Sequence, residues 1–510
     1  MRWRNPVLPG FHPDPSVCRV GDCFYLATSS FHFFPGLPLW RSHNLVDWEP
    51  VGPALCRPSQ LDLAGTPPSR GLYAPTLRHG AGRFWLACTE VDRLGNFLLS
   101  APSIEGPWSD PLPLAVGGID PSLFFDDDGT VYLCSNDAPD GRAGISLSVI
   151  DPGTGAILER PRHICAGSGG RWPEGPHLYR RGGAWYLLLS EGGTEYGHYA
   201  SIFRSASPWG PWEACPRNPV LSHRDDAASP IQCVGHPDLV EDAAGRWWLL
   251  CLGVRPLGPM LHNLGRETFL APVSWDGEGW PVMGQDGKLG LEMEGSLPGP
   301  PARGMHACWE DRFDGPGLGP EWISLRRREP EAVALEEGRG LVLRGAGCGL
   351  SDPCGAPALV ARPQPEIRCS FEALLDFRPT DAGMEAGIAA LHDEDYHYEA
   401  FVTCREGTRV VALRRHVHDL EVEGPVLVLP GQGRVLLRLD ADEEFYRFSF
   451  SCKDGGGGGE WRELGAGRTA GLCAEGTWRM TFTGVHFGLY CRGGEARFRL
   501  ASCMARRASP

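Results

Sequence analysis

Glu174-Gly175-Pro176-His177-Leu178 followed by Gly183-Ala184-Trp185-Tyr186-Leu187 is the stretch that decides the fold. It reads as two short strands joined by a glycine turn, the second strand rich in aromatic residues. The same unit occurs four more times. Its second strand returns in Gly21-Asp22-Cys23-Phe24-Tyr25-Leu26, Gly82-Arg83-Phe84-Trp85-Leu86, Gly129-Thr130-Val131-Tyr132-Leu133 and Gly245-Arg246-Trp247-Trp248-Leu249. Its first strand returns in Asp14-Pro15-Ser16-Val17, Ala74-Pro75-Thr76-Leu77, Asp120-Pro121-Ser122-Leu123 and His236-Pro237-Asp238-Leu239. A further strand pair closing on Trp is expected after most copies, around Ser42 to Trp48, Ala101 to Trp108, Ser205 to Trp212 and Val273 to Trp280. The third copy keeps its hairpin near Ser148 to Pro152 without the Trp. Four strands per unit, recurring about every 47 to 62 residues, is the pattern of propeller blades. The expectation is an all-β chain with a five-bladed β-propeller over residues 1–295.

Outward from the repeats, Leu297-Pro298-Gly299-Pro300-Pro301-Ala302-Arg303-Gly304 reads as a linker, placed at 296–305. Beyond it the blade signature stops. Alternating runs such as Ala332 to Leu335, Gly340 to Leu343 and Gly433 to Leu439 predict a β-sandwich over 306–510. Gly455 to Gly459 reads as a hairpin tip without chemistry. The whole composition agrees: 68 Gly, 46 Pro, 17 Trp, 11 Tyr and 21 Phe in 510 residues suit many short strands and turns.

A net charge of −15 argues against nucleic acid or an anionic membrane as partner and for a neutral or small ligand. No apolar run approaches the roughly 20 residues of a membrane span. The start, Met1-Arg2-Trp3-Arg4-Asn5-Pro6, lacks an apolar signal core, and the 18 cysteines contain no Cys-x-x-Cys pair. The expectation is a cytoplasmic protein with mostly buried free thiols and no structural zinc.

In a propeller the first strand of every blade lines the axis, so equivalent repeat positions converge. The residue eleven or twelve places before the aromatic is Asp14, Ala74, Asp120, Glu174 or His236. Any single Asp before a Pro can be a turn residue, but recurrence at one register is not explained that way. Three carboxylates gathered at the axis can hold one proton on one group while another stays ionised, as acid–base catalysis requires. His12-x-Asp14, Glu174-x-x-His177 and His236-x-Asp238 are candidate ligand pairs. Their spacing does not suit a transition metal, and a calcium or water-bridged cation near His236 stays open.

Asn5-Pro6 through Phe11-His12-Pro13-Asp14-Pro15-Ser16, Ser29-Ser30-Phe31 to Phe34-Pro35-Gly36, Gly118-Ile119-Asp120-Pro121-Ser122, Pro173-Glu174-Gly175-Pro176-His177 and Leu264-Gly265-Arg266-Glu267-Thr268-Phe269 resemble glycoside hydrolase family 43. Leu325 to Pro330 and Asp393 to Tyr398 resemble the concanavalin-like sandwich of its β-xylosidase and α-L-arabinofuranosidase members. The resemblance implies an inverting exo-hydrolase needing no cofactor, which releases xylose from β-1,4-xylo-oligosaccharides or arabinose from arabinosyl substrates. It implies Asp14 as general base, Glu174 as general acid and Asp120 as the group that raises and orients the acid. Arg266 would pair with the carboxylates and sugar hydroxyls, and His236 would brace the floor. Phe31 and Tyr73 would pack on the sugar or serve blade packing.

Tyr73 and Pro237 depart from the family pattern, which usually has Trp and a small residue there. Ala496-Arg497-Phe498-Arg499-Leu500 replaces an acidic-aromatic run that supplies a pocket aromatic and sometimes a calcium ligand. The competing readings are a non-catalytic carbohydrate-binding protein and a retaining fructosidase. The latter would need Asn-Asp-Pro and Arg-Asp-Pro, and neither tripeptide occurs. A homo-oligomer is expected by analogy alone.

Overall fold

The computed structural model describes residues 1–139, 141–303, 308–453 and 459–506. The expected linker's last residues, 304 and 305, and the glycine run up to Gly458 lie outside the described residues. Regular structure among the described residues is β-strand apart from two 3-10 turns, Thr469–Leu472 and Ala474–Gly476.

Five antiparallel sheets follow one another along the chain. Their inner strands are Ser16–Val20, Thr76–Gly80, Ile119–Phe125, Glu174–Arg181 and Gln232–Glu241. Each pairs with an aromatic-rich second strand: Cys23–Ala27, Arg83–Glu90, Val131–Asn136, Ala184–Glu191 and Trp247–Val254 respectively. Neighbouring inner strands pack in order and the fifth packs beside the first, so the sheets close into a ring. Wedges between twisted sheets need large side chains, and the repeat aromatics fill them. Ring pairs bridge successive blades: Tyr25–Phe84 at 5.0 Å, Trp85–Phe125 at 6.0 Å, Phe124–Trp185 at 5.0 Å and Tyr179–Trp247 at 6.2 Å. The ring is fastened where Arg2–Arg4 pairs with Glu292–Glu294 and the buried Asn5 amide bonds the Leu270 and Gly290 carbonyls.

One expectation is corrected. The segments closing on Trp are the turns between third and fourth strands, not strand pairs. Third strands end at Ser42, Ala101 and Ser205, and fourth strands begin at Glu49, Leu112 and Glu213. In the first two blades the indole N–H caps the turn, from Trp48 to the Leu45 carbonyl at 2.9 Å and from Trp108 to Ile104 at 3.0 Å. The third blade uses Asp151 instead, which accepts from the Gly153 N–H and the Thr154 hydroxyl.

The rest of the chain forms two facing sheets. One runs Val333–Glu336, Gly340–Gly345, Gly494–Ala505, Cys369–Asp376, Arg434–Ala441, Phe445–Lys453, Arg462–Arg468; the other includes Ala358–Pro363, His486–Arg492, Glu385–Asp393 and Tyr396–Arg405. Alternation in Cys369–Asp376 and Arg434–Ala441 puts Phe371, Ala373, Leu437 and Leu439 into one apolar core. The sandwich is joined to the propeller by continuous structure. Ser324–Leu325 pairs with Phe33–Phe34, and Phe11, Phe31 and Phe33 share a core with Leu325, Leu359 and Tyr490.

Candidate active site

At the mouth of the inner strands the regular ladder breaks at one register. Pairing shifts between Ile119 and Ser122, between Glu174 and His177, and between Gly235 and Asp238. The backbone there enters the left-handed region at Asp14 (φ 53°), Asp120 (56°), Gly175 (56°) and His236 (49°). For a residue with a Cβ this costs roughly 1–2 kcal/mol. Bulges at this level re-aim side chains that a regular strand would direct elsewhere.

The result is a cavity of about 110 Å³ lined by Asp14, Asp120, Glu174, His236, Arg266, Phe31 and Tyr73. All seven residues singled out from the sequence thus share one site. Ala74, the fifth register position, lines it too, together with Ile119, Thr194 and Phe482, which sequence reasoning missed. The volume is well below the roughly 300–1,000 Å³ of drug-sized sites, so it has room for one small ring. A larger cavity of about 420 Å³ lies in the domain seam near Phe11, Trp40, Trp309 and Arg362, and holds none of the three clustered carboxylates.

The charges in the small cavity are unequal. Asp14 is buried and ion-paired to Arg266 at 2.8 Å, and its other oxygen accepts a short hydrogen bond from the Ser29 hydroxyl. Asp120 accepts from the Gly175 N–H at 3.0 Å, one residue past Glu174, which fixes the two carboxyls relative to each other. Burial, then Asp14, push the Asp120 carboxyl up against the pull of His236 and Arg266. Among the described residues Glu174 has no salt-bridge partner. Burial first, then the charges of Asp120 and Asp14, raise it to about 8 against the weaker pull of Arg266. The site therefore holds a carboxyl that keeps its proton at neutral pH beside an arginine-paired carboxylate. That combination can give a proton to one atom while taking one from another.

Aromatic contacts build the wall, Tyr73 meeting Phe482 edge-on at 5.8 Å among them. Phe31 lies 5.3 Å from Tyr73 and stacks on Phe482 at 5.6 Å; the Arg266 guanidinium sits 5.5 Å from both phenyl rings. Phe482 belongs to the sandwich, so the second domain does complete the pocket, from a segment other than Ala496 to Leu500. Two glycines allow this. A Cβ on Gly484 would stand 2.2 Å from the Leu264 carbonyl, and one on Gly265 would stand 2.9 Å from the Gly484 nitrogen. Backbone touches backbone beside Arg266, and the Phe482 N–H donates to Ser69 Oγ at 3.0 Å.

One layer deeper on the same strands lies a second polar cluster. Asp238 meets Arg78 at 2.7 Å and accepts from the Ser16 hydroxyl, the Val17 N–H and the Tyr179 hydroxyl. Burial favours a neutral Asp238, but Arg78 and these donors outweigh it and hold the carboxyl well below the usual range. His177 Nδ1 faces Arg78 and the Ser122 hydroxyl, and burial pushes its pKa down to about 3. The candidate ligand pairs through His177 and Asp238 are thus engaged in an ion-pair network. Among the described residues no group of three or more His, Cys, Asp or Glu side chains is placed to hold a metal.

A propeller whose axial mouth sets a proton-holding carboxyl beside an arginine-paired one in a small cavity suits glycoside hydrolysis. Residues 3–281 match the model of glycosyl hydrolases family 43, and residues 310–500 match the beta xylosidase C-terminal concanavalin A-like domain. The chain belongs to glycosyl hydrolase family 43. It is 39% identical over 96% of its length to the non-reducing end alpha-L-arabinofuranosidase BoGH43B of Bacteroides ovatus, covering 91% of that protein. It is 32% identical to a beta-xylosidase of Bacillus subtilis, over 89% of this chain and 90% of the relative. Among solved structures, a xylan beta-1,4-xylosidase of Bacillus halodurans superposes with a TM-score of 0.91 at 33% identity, covering 98% of this chain and 99% of that one.

Proposed function

We propose that the enzyme is an inverting exo-glycosidase that releases xylose from the non-reducing end of β-1,4-xylo-oligosaccharides. Glu174 protonates the leaving glycosidic oxygen. Asp14, ion-paired to Arg266, takes a proton from the attacking water. Asp120 raises and orients the acid through its own charge and its bond to the Gly175 N–H. His236 packs its ring against Gly175, where an added Cβ would meet it at 2.9 Å, and so braces the floor. Phe31 and Tyr73 cover the apolar faces of the sugar. The carrying observation is the raised Glu174 carboxyl, because hydrolysis of an unactivated glycoside needs an acid still protonated at neutral pH. Inversion needs space for water between acid and base, about 6.5–9.5 Å.

The second reading is release of α-L-arabinofuranose from the same pocket. It is favoured by the relative named for that activity, which matches over 96% of this chain. Proton NMR of xylobiose hydrolysis, with an α-L-arabinofuranosyl oligosaccharide in parallel, decides. α-Xylose as first product supports the proposal; β-xylose refutes the inverting mechanism; turnover of the arabinoside alone moves the substrate to the second reading.

The mechanism needs no cofactor, and activity after chelation, with and without added calcium, tests the alternative of a cation near His236. A cytoplasmic site is supported by Cys18, Cys88, Cys134, Cys251, Cys369 and Cys503 being buried and unbridged. A homo-oligomer is supported by Leu420, Val422, Val426 and Val428, exposed along one edge strand of the sandwich, and sedimentation tests it.

A further inference from the structure

Two residues before Glu174, Trp172 is 53% exposed and holds a left-handed backbone with φ 51°. Large side chains rarely adopt that conformation, and this one gains only partial burial in return. The loop that carries it is nevertheless firmly built. The fully buried Glu191 carboxylate accepts from the backbone N–H groups of Ser168 and Gly170, both at 2.8 Å, and from the hydroxyls of Ser201 and Tyr199. The Arg171 carbonyl accepts from the Gly192 N–H at 2.7 Å.

Trp172 is also set on a prepared seat. A Cβ on Gly193 would stand 2.9 Å from the six-membered ring of the indole, so only glycine lets the ring lie there. The next residue, Thr194, lines the cavity and accepts from Arg266 Nη1 at 3.1 Å. The segment that carries the indole is therefore tied to the mouth from two sides, by chain continuity with Glu174 and, through Gly193, with Thr194. Arg171 places its guanidinium 4.5 Å from the ring centroid and is itself solvent-exposed.

We propose that Trp172 is the platform for the sugar ring on the leaving side of the scissile bond. The inference rests on the reading of Glu174 as the acid. The group that protonates the glycosidic oxygen stands between the retained and departing sugars, so an exposed aromatic two residues along the chain from it is placed to meet the departing ring. The electron-rich indole face attracts the weakly positive C–H face of a pyranose. A strained, exposed aromatic on a loop anchored by a buried carboxylate is what such a contact requires and what packing does not explain.

The test compares W172A with the wild-type enzyme on xylobiose and on β-D-xylosyl fluoride, whose leaving group has no ring. The expected result is a roughly tenfold loss of kcat/KM on xylobiose and a much smaller change on the fluoride. W172F should restore most of the loss. Equal losses on both substrates, or none on xylobiose, overturn the proposal. W172G adds a stability readout: glycine suits the left-handed backbone, so Tm should hold or rise while xylobiose activity falls. A fall in Tm without a selective loss on xylobiose assigns Trp172 to packing and refutes the platform. E174Q separates the two readings, because it should spare the fluoride and lower xylobiose hydrolysis by about 10²–10⁴-fold. If it spares both, the acid assignment fails independently of the Trp172 outcome.

Discussion

The same five inner strands carry two polar layers with opposite properties. In the deeper layer Arg78, Asp238, His177, Ser16 and Tyr179 satisfy one another, and the carboxylate is held charged. In the layer at the mouth three carboxyls share Arg266, and Glu174 is left holding a proton to about pH 8. Position in the fold is nearly identical; charge balance differs. A balanced cluster on the axis ties blades together, whereas an unbalanced one stores the proton that chemistry can use.

Glu174 and Asp238 are the residues with which to break this contrast. E174Q should lower kcat/KM on xylobiose by about 10²–10⁴-fold, the usual share of general acid catalysis. Its Tm should not fall, because among the described residues Glu174 has no ion-pair partner to strand. D238N should do the opposite. It leaves the Arg78 guanidinium buried without its charge partner, a loss of about 3–5 kcal/mol. Thermal unfolding should show a large drop in Tm while kcat per folded molecule stays near wild type. If D238N abolished turnover in folded protein, the two layers would not be separable.

The pH dependence sharpens the same comparison. Folded Glu174 keeps its proton to about pH 8, while its ordinary value is 4.5. The folded state therefore binds more protons than the unfolded chain between these limits, and this contribution to stability declines as pH rises through the window. Two results follow for measurement. The rate on xylobiose should fall above about pH 8 as the acid ionises, and the fall should vanish on the fluoride, which needs no protonation. E174Q should melt above the wild type at pH 9, with the gap closing below pH 4.5. A stability difference that grew toward low pH would mean Glu174 is ionised in the folded protein.

How much of this was legible in the sequence follows from its repeats. Asp14, Asp120, Glu174 and His236 could be grouped without coordinates because the repeat sets their register. Arg266, Phe31 and Tyr73 came from family likeness, and the structure places them in the same cavity. Three features were hidden. The Trp segments read as strands because a turn capped by an indole keeps a strand-like composition. Arg78 and Asp238 stand 160 residues apart, and no local pattern says that one neutralises the other. Phe482 lies outside the repeat; its only local signal is the Gly484 two residues on, whose need for close backbone approach appears only when Leu264 is seen against it.

Phe482 gives the smallest of these effects and the sharpest test of domain cooperation. Its ring stacks on Phe31 and its carbonyl accepts from Arg266 Nη2 at 3.4 Å, so it touches the site by side chain and backbone. F482A removes only the ring. The backbone bond to Arg266 stays, the carboxyl charges are untouched, and the stacked pair contributes about 0.5–1.5 kcal/mol. The expected change is a rise in KM of up to about tenfold with kcat little altered, as for a wall that would hold the sugar equally before and during reaction. G484A differs in kind. A methyl group 2.2 Å from the Leu264 carbonyl forces the two backbones apart and with them Arg266, so kcat should fall as well. If F482A and G484A gave the same modest rise in KM, the sandwich would supply a ring to the pocket without positioning Arg266.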